Sequence, residues 1–139
     1  METNTKILFI CNGNIGISII AESYYNKFTH SSDASSAIVN PTNSKGFEII
    51  SPLVLRIMNE VKIDISSQKI EILTEEMVLK ADRIILFCKK EDCPIFLLKH
   101  PSVYLWEVKN LDKTTFENYC LIRDEIELLV YKKLMKVEY

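Results

Sequence analysis

The chain reads Lys6-Ile7-Leu8-Phe9-Ile10-Cys11 near its start, followed directly by Asn12-Gly13-Asn14-Ile15-Gly16-Ile17-Ser18. The unbroken apolar run is typical of a strand that is buried on both faces of a parallel sheet. Asn12-Gly13-Asn14 is a turn signal. A helical pattern begins at Ser18, which is a suitable N-cap. The stretch therefore predicts a strand, a tight loop and a helix, which form the first half of a βαβ unit.

The loop after this first strand is the best candidate for a functional site. Ligands of α/β folds bind at the carboxyl ends of strands, and successive backbone N–H groups before a helix form an anion-binding nest. The same field favours the thiolate of Cys11 and makes it a candidate nucleophile, with the Ser18 hydroxyl as a donor to the sulfur. The alternative is that Cys11 is a small apolar residue that ends a strand. The predicted anion-binding loop comprises Asn12, Gly13, Asn14, Ile15, Gly16 and Ile17.

Strand and helix patterns alternate along the rest of the chain. Further strands are predicted around 36–39, 83–88 and 103–106, and helices over 51–61, 74–81 and from Thr114 or Thr115 to Lys136. This alternation implies an α/β fold with helices on both faces of a parallel sheet. We expect residues 1–139 to form one domain, a three-layer α/β/α sandwich around a mainly parallel four-stranded sheet.

Net charge, the length of the apolar runs and the cysteine spacing exclude several classes of function. A formal net charge of -2 offers no basic face for nucleic acid or an anionic membrane. The first apolar run is too short for a signal peptide or a membrane span, so we expect a cytoplasmic protein. In that compartment its four cysteines are expected to be reduced. Because they lack paired two-residue spacing, no metal site and no cofactor are predicted.

Residues 6–22 resemble the signature of the low-molecular-weight protein tyrosine phosphatases and the related thioredoxin-coupled arsenate reductases. The resemblance continues through Ile50-Ser51-Pro52, Leu73-Thr74-Glu75-Glu76 and Trp106. It implies a phosphotyrosine phosphatase I-like fold, Cys11 as the nucleophile, and a phosphate-like oxyanion or a phosphoprotein as the ligand. The residues in register within the signature are Cys11, Gly13, Asn14, Ser18, Ala21 and Glu22.

Two positions depart from the family pattern. Ile17 stands where the family has the arginine that forks around two oxyanion oxygens, and loss of such a group costs about 3 kcal/mol in the transition state. Asn110 stands where the family has its general-acid aspartate, and asparagine delivers no proton. Asp112 could replace that aspartate if the loop is shifted, and Glu107 is a weaker candidate. The favoured alternative is that Asp112 only caps or precedes the C-terminal helix. Neither Arg56 nor Arg123 has a sequence reason to replace the missing cation.

Cys88 and Cys93 raise a separate question. In arsenate reductases of this lineage, two cysteines at about this place carry oxidation away from the loop cysteine. The resemblance thus implies a redox relay through Cys11, Cys88 and Cys93, with thioredoxin as a partner. Lys89 and Lys90 are expected to favour the Cys88 thiolate. The alternative is that Cys88 is a core residue and Cys93 an incidental surface thiol.

Three functional hypotheses follow. The first is a catalytically impaired pseudophosphatase that binds an anion or a protein partner. The second is a thiol redox protein or arsenate reductase-like enzyme that uses Cys11, Cys88 and Cys93. The third is a slow tyrosine phosphatase with Cys11 as its nucleophile.

Overall fold

A computed structural model describes residues 5–12, 16–39, 47–48, 50–68, 70–109 and 115–135. Strands and helices alternate along these ranges, as the sequence predicts. Their order is β1 (Ile7–Cys11), α1 (Ile17–Thr29), β2 (Ala34–Ile38), β3 (Phe47–Glu48), α2 (Pro52–Glu60), β4 (Ile70–Ile72), α3 (Glu75–Lys80), β5 (Arg83–Leu86), a 3-10 helix (Lys90–Asp92), α4 (Ile95–Leu98), β6 (Val103–Leu105) and α5 (Phe116–Leu134).

The strands form one sheet in the order β3-β4-β2-β1-β5-β6. Strands β4, β2, β1, β5 and β6 pair in parallel, and the short β3 is antiparallel to β4. The predicted α/β class with a mainly parallel sheet is confirmed. The predicted count of four strands is too low, because within the described residues the sheet has six. The two additional strands lack a continuous apolar run: β3 is Phe47–Glu48, and β4 carries Glu71 between its two isoleucines.

Strand β1 lies inside the sheet between β2 and β5, and its side chains alternate between two hydrophobic cores. Ile7, Phe9 and Cys11 pack into the core that also contains buried residues of α1, α2 and α5. Leu8 and Ile10 pack into the opposite core, with residues of α3 and α4. Because both faces are covered, every residue of β1 is apolar, and Cys11 is held at the carboxyl end of an inner strand.

Capping side chains start three helices where the sequence predicts them. Ser51 accepts a hydrogen bond from the Leu53 amide ahead of α2, and Thr74 accepts one from Met77 at α3. Thr115, rather than Thr114, caps α5. None of the helices in the described ranges is long and apolar enough to cross a membrane.

The short elements between β5 and β6 were missed by the sequence analysis. The 3-10 helix consists of Lys90, Glu91 and Asp92, which carry no apolar periodicity, and α4 spans one turn only. The 3-10 helix lies between Cys88 and Cys93, and the two sulfur atoms are 3.7 Å apart.

Candidate active site

Cys11 ends β1 in the middle of the sheet and is only 3% exposed. Asn12 follows it, and the predicted loop residues Gly13, Asn14 and Ile15 lie outside the described residues. The chain is described again at Gly16, which has a left-handed φ of 84° and is the residue before α1. Glycine adopts this conformation without the Cβ penalty of other residues, so it turns the loop directly into the helix.

Ser18 contacts the Cys11 sulfur, as predicted. Its Oγ lies 3.1 Å from Cys11 Sγ, and the residue is fully buried. The prediction that Ser18 caps α1 is wrong, because the N-cap is Gly16, two residues earlier, and the helix begins at Ile17. The carbonyl of Gly16 accepts the first helical hydrogen bonds, from Ile19 and Ile20. The Ser18 hydroxyl is thereby left to face Cys11.

Ile17 is the first residue of α1 and is 4% exposed, within the core that contains Cys11. An aliphatic side chain supplies neither charge nor a hydrogen-bond donor. The position therefore contributes only apolar packing next to the loop.

The chain has three arginines, and all of them lie in described residues. The Arg56 guanidinium carbon is 4.3 Å from the centroid of the Phe116 ring. The Arg123 side chain donates hydrogen bonds to the Ile57 carbonyl and to Glu60 and Asp124. Arg83 pairs in register with Ile7, at the opposite end of β1 from Cys11 and roughly 13 Å away along the strand. None of these arginine contacts is with Cys11.

The two redox candidates, Cys88 and Cys93, lie side by side. Their sulfur atoms are 3.7 Å apart, and both thiols are free. Cys88 is buried just after β5, whereas Cys93 is partly exposed and donates to the Lys89 carbonyl at 3.5 Å. The sequence analysis left this pairing open, because the spacing alone does not show that a 3-10 helix folds the two residues together.

Burial controls the ionisation of this pair. It raises the pKa of the Cys88 thiol to about 12, and the neighbouring Cys93 and Cys11 sulfurs add to the rise. Burial also raises the pKa of Cys93, although the hydrogen bond from Cys88 opposes that rise. The expectation that Lys89 and Lys90 favour the Cys88 thiolate is wrong. Both lysine side chains are exposed, where water screens their charge, whereas the sulfur is buried.

A cavity of about 390 Å³ opens next to Cys88. Its walls are mainly apolar and belong to the segments that follow β5 and β6. The exposed Glu107, one of the two predicted substitutes for the general acid, also lines it. Asn110 and Asp112 lie outside the described residues. The remaining lining residues are Phe87, Lys89, Leu105, Trp106, Val108 and Lys109.

Comparisons with known proteins show which proteins this chain resembles. No family model matches the chain. An arsenate reductase of Brevibacillus brevis is 30% identical over 138 residues, which cover 95% of this chain and 96% of that protein. An arsenate reductase of Bacillus cereus is 31% identical over 98 residues, 68% of each chain.

Solved structures agree with the sequence relatives. A thioredoxin-dependent arsenate reductase of Corynebacterium glutamicum superposes with a TM-score of 0.71 at 26% identity, over 92% of this chain and 59% of that one. A low-molecular-weight protein tyrosine phosphatase from T. tengcongensis superposes with a TM-score of 0.76 at 21% identity, over 96% and 99%. The fold is thus that of a phosphatase-like α/β protein. The chain belongs to the arsenate reductase family, and it shares its fold with a low-molecular-weight protein tyrosine phosphatase.

Proposed function

We propose that this protein is a thiol–disulfide redox protein of the arsenate reductase type, in which Cys11, Cys88 and Cys93 act in sequence. The observation that carries the proposal is the 3.7 Å separation of the Cys88 and Cys93 sulfurs. A sulfur pair at this distance needs only a small local shift to reach the roughly 2.05 Å of a disulfide bond. An incidental surface thiol has no reason to face a buried one.

The exchange proceeds in two steps once Cys11 carries a two-electron oxidation. The Cys88 sulfur first attacks the oxidised Cys11 sulfur, passes its proton to the departing leaving group and forms a Cys11–Cys88 disulfide. The Cys93 sulfur then attacks Cys88, and Cys11 departs as a thiolate that takes up a proton. Cys93 suits the second step because it is the more exposed of the pair and receives the hydrogen bond of the Cys88 thiol.

The resulting Cys88–Cys93 disulfide needs an external reductant. We propose a dithiol protein of the thioredoxin type, in the reducing environment of the cytoplasm. The C. glutamicum relative, which is named as thioredoxin-dependent, supports this assignment. The partly exposed Cys93 is the sulfur that such a partner can attack.

Phosphatase turnover is the part of the family chemistry that we propose to be impaired. Ile17 is apolar, and each of the three arginines is placed away from Cys11. Binding of a phosphate-like oxyanion, as a free ion or on a phosphoprotein, is accordingly expected to be weak.

The relay is tested by oxidising the reduced protein with diamide and mapping disulfides by differential alkylation and mass spectrometry. We expect a Cys88–Cys93 disulfide in the wild type. In Cys93→Ser the second step is blocked, so a Cys11–Cys88 disulfide should accumulate.

Cys120→Ser is the matched control. Cys120 lies on α5, where its thiol donates a hydrogen bond to Glu60, and it takes no part in the proposed relay. Its disulfide pattern should equal that of the wild type. Full alkylation of Cys88 and Cys93 after diamide treatment would falsify the relay.

A further inference from the structure

We propose that the cavity between α5 and the strands β5 and β6 is a binding site for a nucleoside diphosphate. Its lining includes none of the three relay cysteines, so the inference goes beyond the proposed redox function. It rests on the position of the cavity, on the charges around it and on its aromatic wall.

The cavity has a volume of about 420 Å³, which is within the roughly 300–1,000 Å³ of small-ligand sites. One wall belongs to a single face of the sheet. Arg83 and Ile85 are two positions apart in β5, and Tyr104 of β6 pairs in register with Ile85. The facing wall is the last turn of α5, where Lys132 and Lys133 line the cavity.

Three cations therefore meet at this cavity, namely Arg83 from β5 and Lys132 and Lys133 from α5. Among the described residues, its lining contains no carboxylate. None of the ion pairs between described residues includes any of the three side chains. The chain as a whole carries a formal charge of -2, so the cavity is a local basic region that favours an anion.

The end of α5 accounts for only part of this charge. Lysines in the last turn of a helix interact favourably with its dipole, so Lys132 and Lys133 also stabilise the helix end. Arg83 has no such role, because it begins a strand on the other side of the cavity. Its guanidinium offers the forked donors that match a phosphate group. The three positive charges suit a diphosphate, which carries about three negative charges at neutral pH.

Tyr104 indicates the other half of the ligand. Its side chain is 48% exposed on β6, the last strand in the order of the sheet. An exposed aromatic ring provides a face on which a nucleobase can stack. Beneath it, the buried Trp106 and Ile85 make the cavity floor apolar. A phosphate alone needs no aromatic wall, so the cavity fits a ligand in which a planar ring is joined to phosphates.

The test titrates the reduced full chain with ADP. Trp106 is the single tryptophan of the chain and lines the cavity, so its fluorescence reports binding, and calorimetry gives the affinity. We expect saturable binding that weakens as salt is added, because salt screens exposed charges. Pyrophosphate and adenosine, the two halves of the ligand, should each bind at least about tenfold more weakly than ADP.

Lys132→Met with Lys133→Met should weaken ADP binding by at least about tenfold, because charge-assisted hydrogen bonds are the stronger kind. Lys109→Met is the matched control. Lys109 is also an exposed lysine, but it lines the cavity beside Cys88, which shares Trp106 with this one. Its affinity for ADP should equal that of the wild type.

Two further variants separate the charges from the ring. Tyr104→Leu should weaken ADP binding by about fivefold or more and leave pyrophosphate binding unchanged. Arg83→Gln should weaken both. Urea unfolding shows whether each variant is folded, and Arg83→Gln decides the role of charge if the double lysine variant is not.

Equal affinities for ADP and pyrophosphate would overturn the nucleotide assignment, and so would the absence of ADP binding. An equal loss of affinity in Lys109→Met would overturn the location. The relay is measured separately, since the double lysine variant should form the Cys88–Cys93 disulfide with diamide as the wild type does. Failure of ADP binding with that disulfide intact would remove this inference and leave the relay standing.

Discussion

Glu22 lies on α1 with its carboxyl group against β2, where its Oε1 accepts a 2.7 Å hydrogen bond from Ser36 Oγ. Burial raises the pKa of Glu22 to about 7, and the nearby Glu71 carboxylate adds to the rise, while the Ser36 hydrogen bond opposes it. The side chain is partly buried beside a cavity of about 170 Å³ that Glu71 also lines. This carboxyl group therefore titrates near neutral pH.

The raised pKa predicts a definite pH dependence of stability. Between the ordinary pKa of about 4.5 and the folded pKa of about 7, the folded state binds more protons at Glu22 than the unfolded state does. The contribution of this group is therefore fully present below pH 4.5 and is lost as the pH rises through 7. We expect the free energy of unfolding to fall by about 2 kcal/mol between pH 5 and pH 8 on account of Glu22.

Glu22→Gln, which keeps an acceptor for Ser36 without a titrating proton, should remove most of this slope in urea unfolding. Glu76→Gln is the control, because Glu76 is an exposed partner of Lys80 on α3. Equal pH slopes in the wild type and Glu22→Gln would show that burial of Glu22 does not set the dependence.

At the scale of helices, α2 and α5 are joined by two arginines. Arg123 of α5 donates through Nη1 to the Ile57 carbonyl at 2.9 Å and to Glu60 Oε1 at 2.7 Å. In the opposite direction, Arg56 of α2 lies over the Phe116 ring of α5. Both guanidinium groups thus stabilise the helix pair, which explains why neither is available to the Cys11 loop.

Replacing Arg123 should weaken this helix pair without affecting the cysteines. In Arg123→Met the Ile57 carbonyl loses its side-chain donor, and we expect a loss of about 2 kcal/mol in the free energy of unfolding. Glu60→Gln should cost less, because that side chain is half exposed.

Denaturant unfolding measures both variants, and diamide oxidation of the folded Arg123→Met provides the functional control. Its Cys88–Cys93 disulfide should form as in the wild type. Loss of that disulfide in a folded variant would mean that α5 supports the redox site, contrary to our assignment of Arg123.

At the scale of the whole molecule, the fold is that of the arsenate reductase relatives, and position 17, where the resemblance predicts an arginine, is an isoleucine. We expect no Cys11-dependent turnover of p-nitrophenyl phosphate by the wild type, since no arginine at position 17 stabilises the negative charge of the transition state. Restoring both family residues in Ile17→Arg with Asn110→Asp should create measurable hydrolysis.

Cys11→Ser in each background is the control for this assay. Cys11-dependent hydrolysis by the wild type would show that another cation serves the loop. A folded double variant without activity would count against the register that places Ile17 and Asn110 at the family positions.

The sheet explains how much of the site could be anticipated. Because β1 and β5 pair in parallel, Cys11 and Cys88 both lie at the carboxyl ends of their strands, at the same end of the sheet. Both strands are recognisable in the sequence as apolar runs. By contrast, the start of α1 directly after Gly16 was missed, because Ser18 matches the N-cap preference better than Gly16 does. The effect of Lys89 and Lys90 was misjudged because neighbours in sequence do not reveal burial.

The sequence by itself determined the fold class, the position of Cys11 after an inner strand and the absence of an arginine at position 17. These features depend on local apolar periodicity and on residue identity, which a sequence displays directly. Only the tertiary structure decided that Cys93 reaches Cys88, that Ser18 faces Cys11, and that all three arginines lie elsewhere. Those features depend on short turns and on contacts between residues far apart in the chain, for which residue spacing carries no signal.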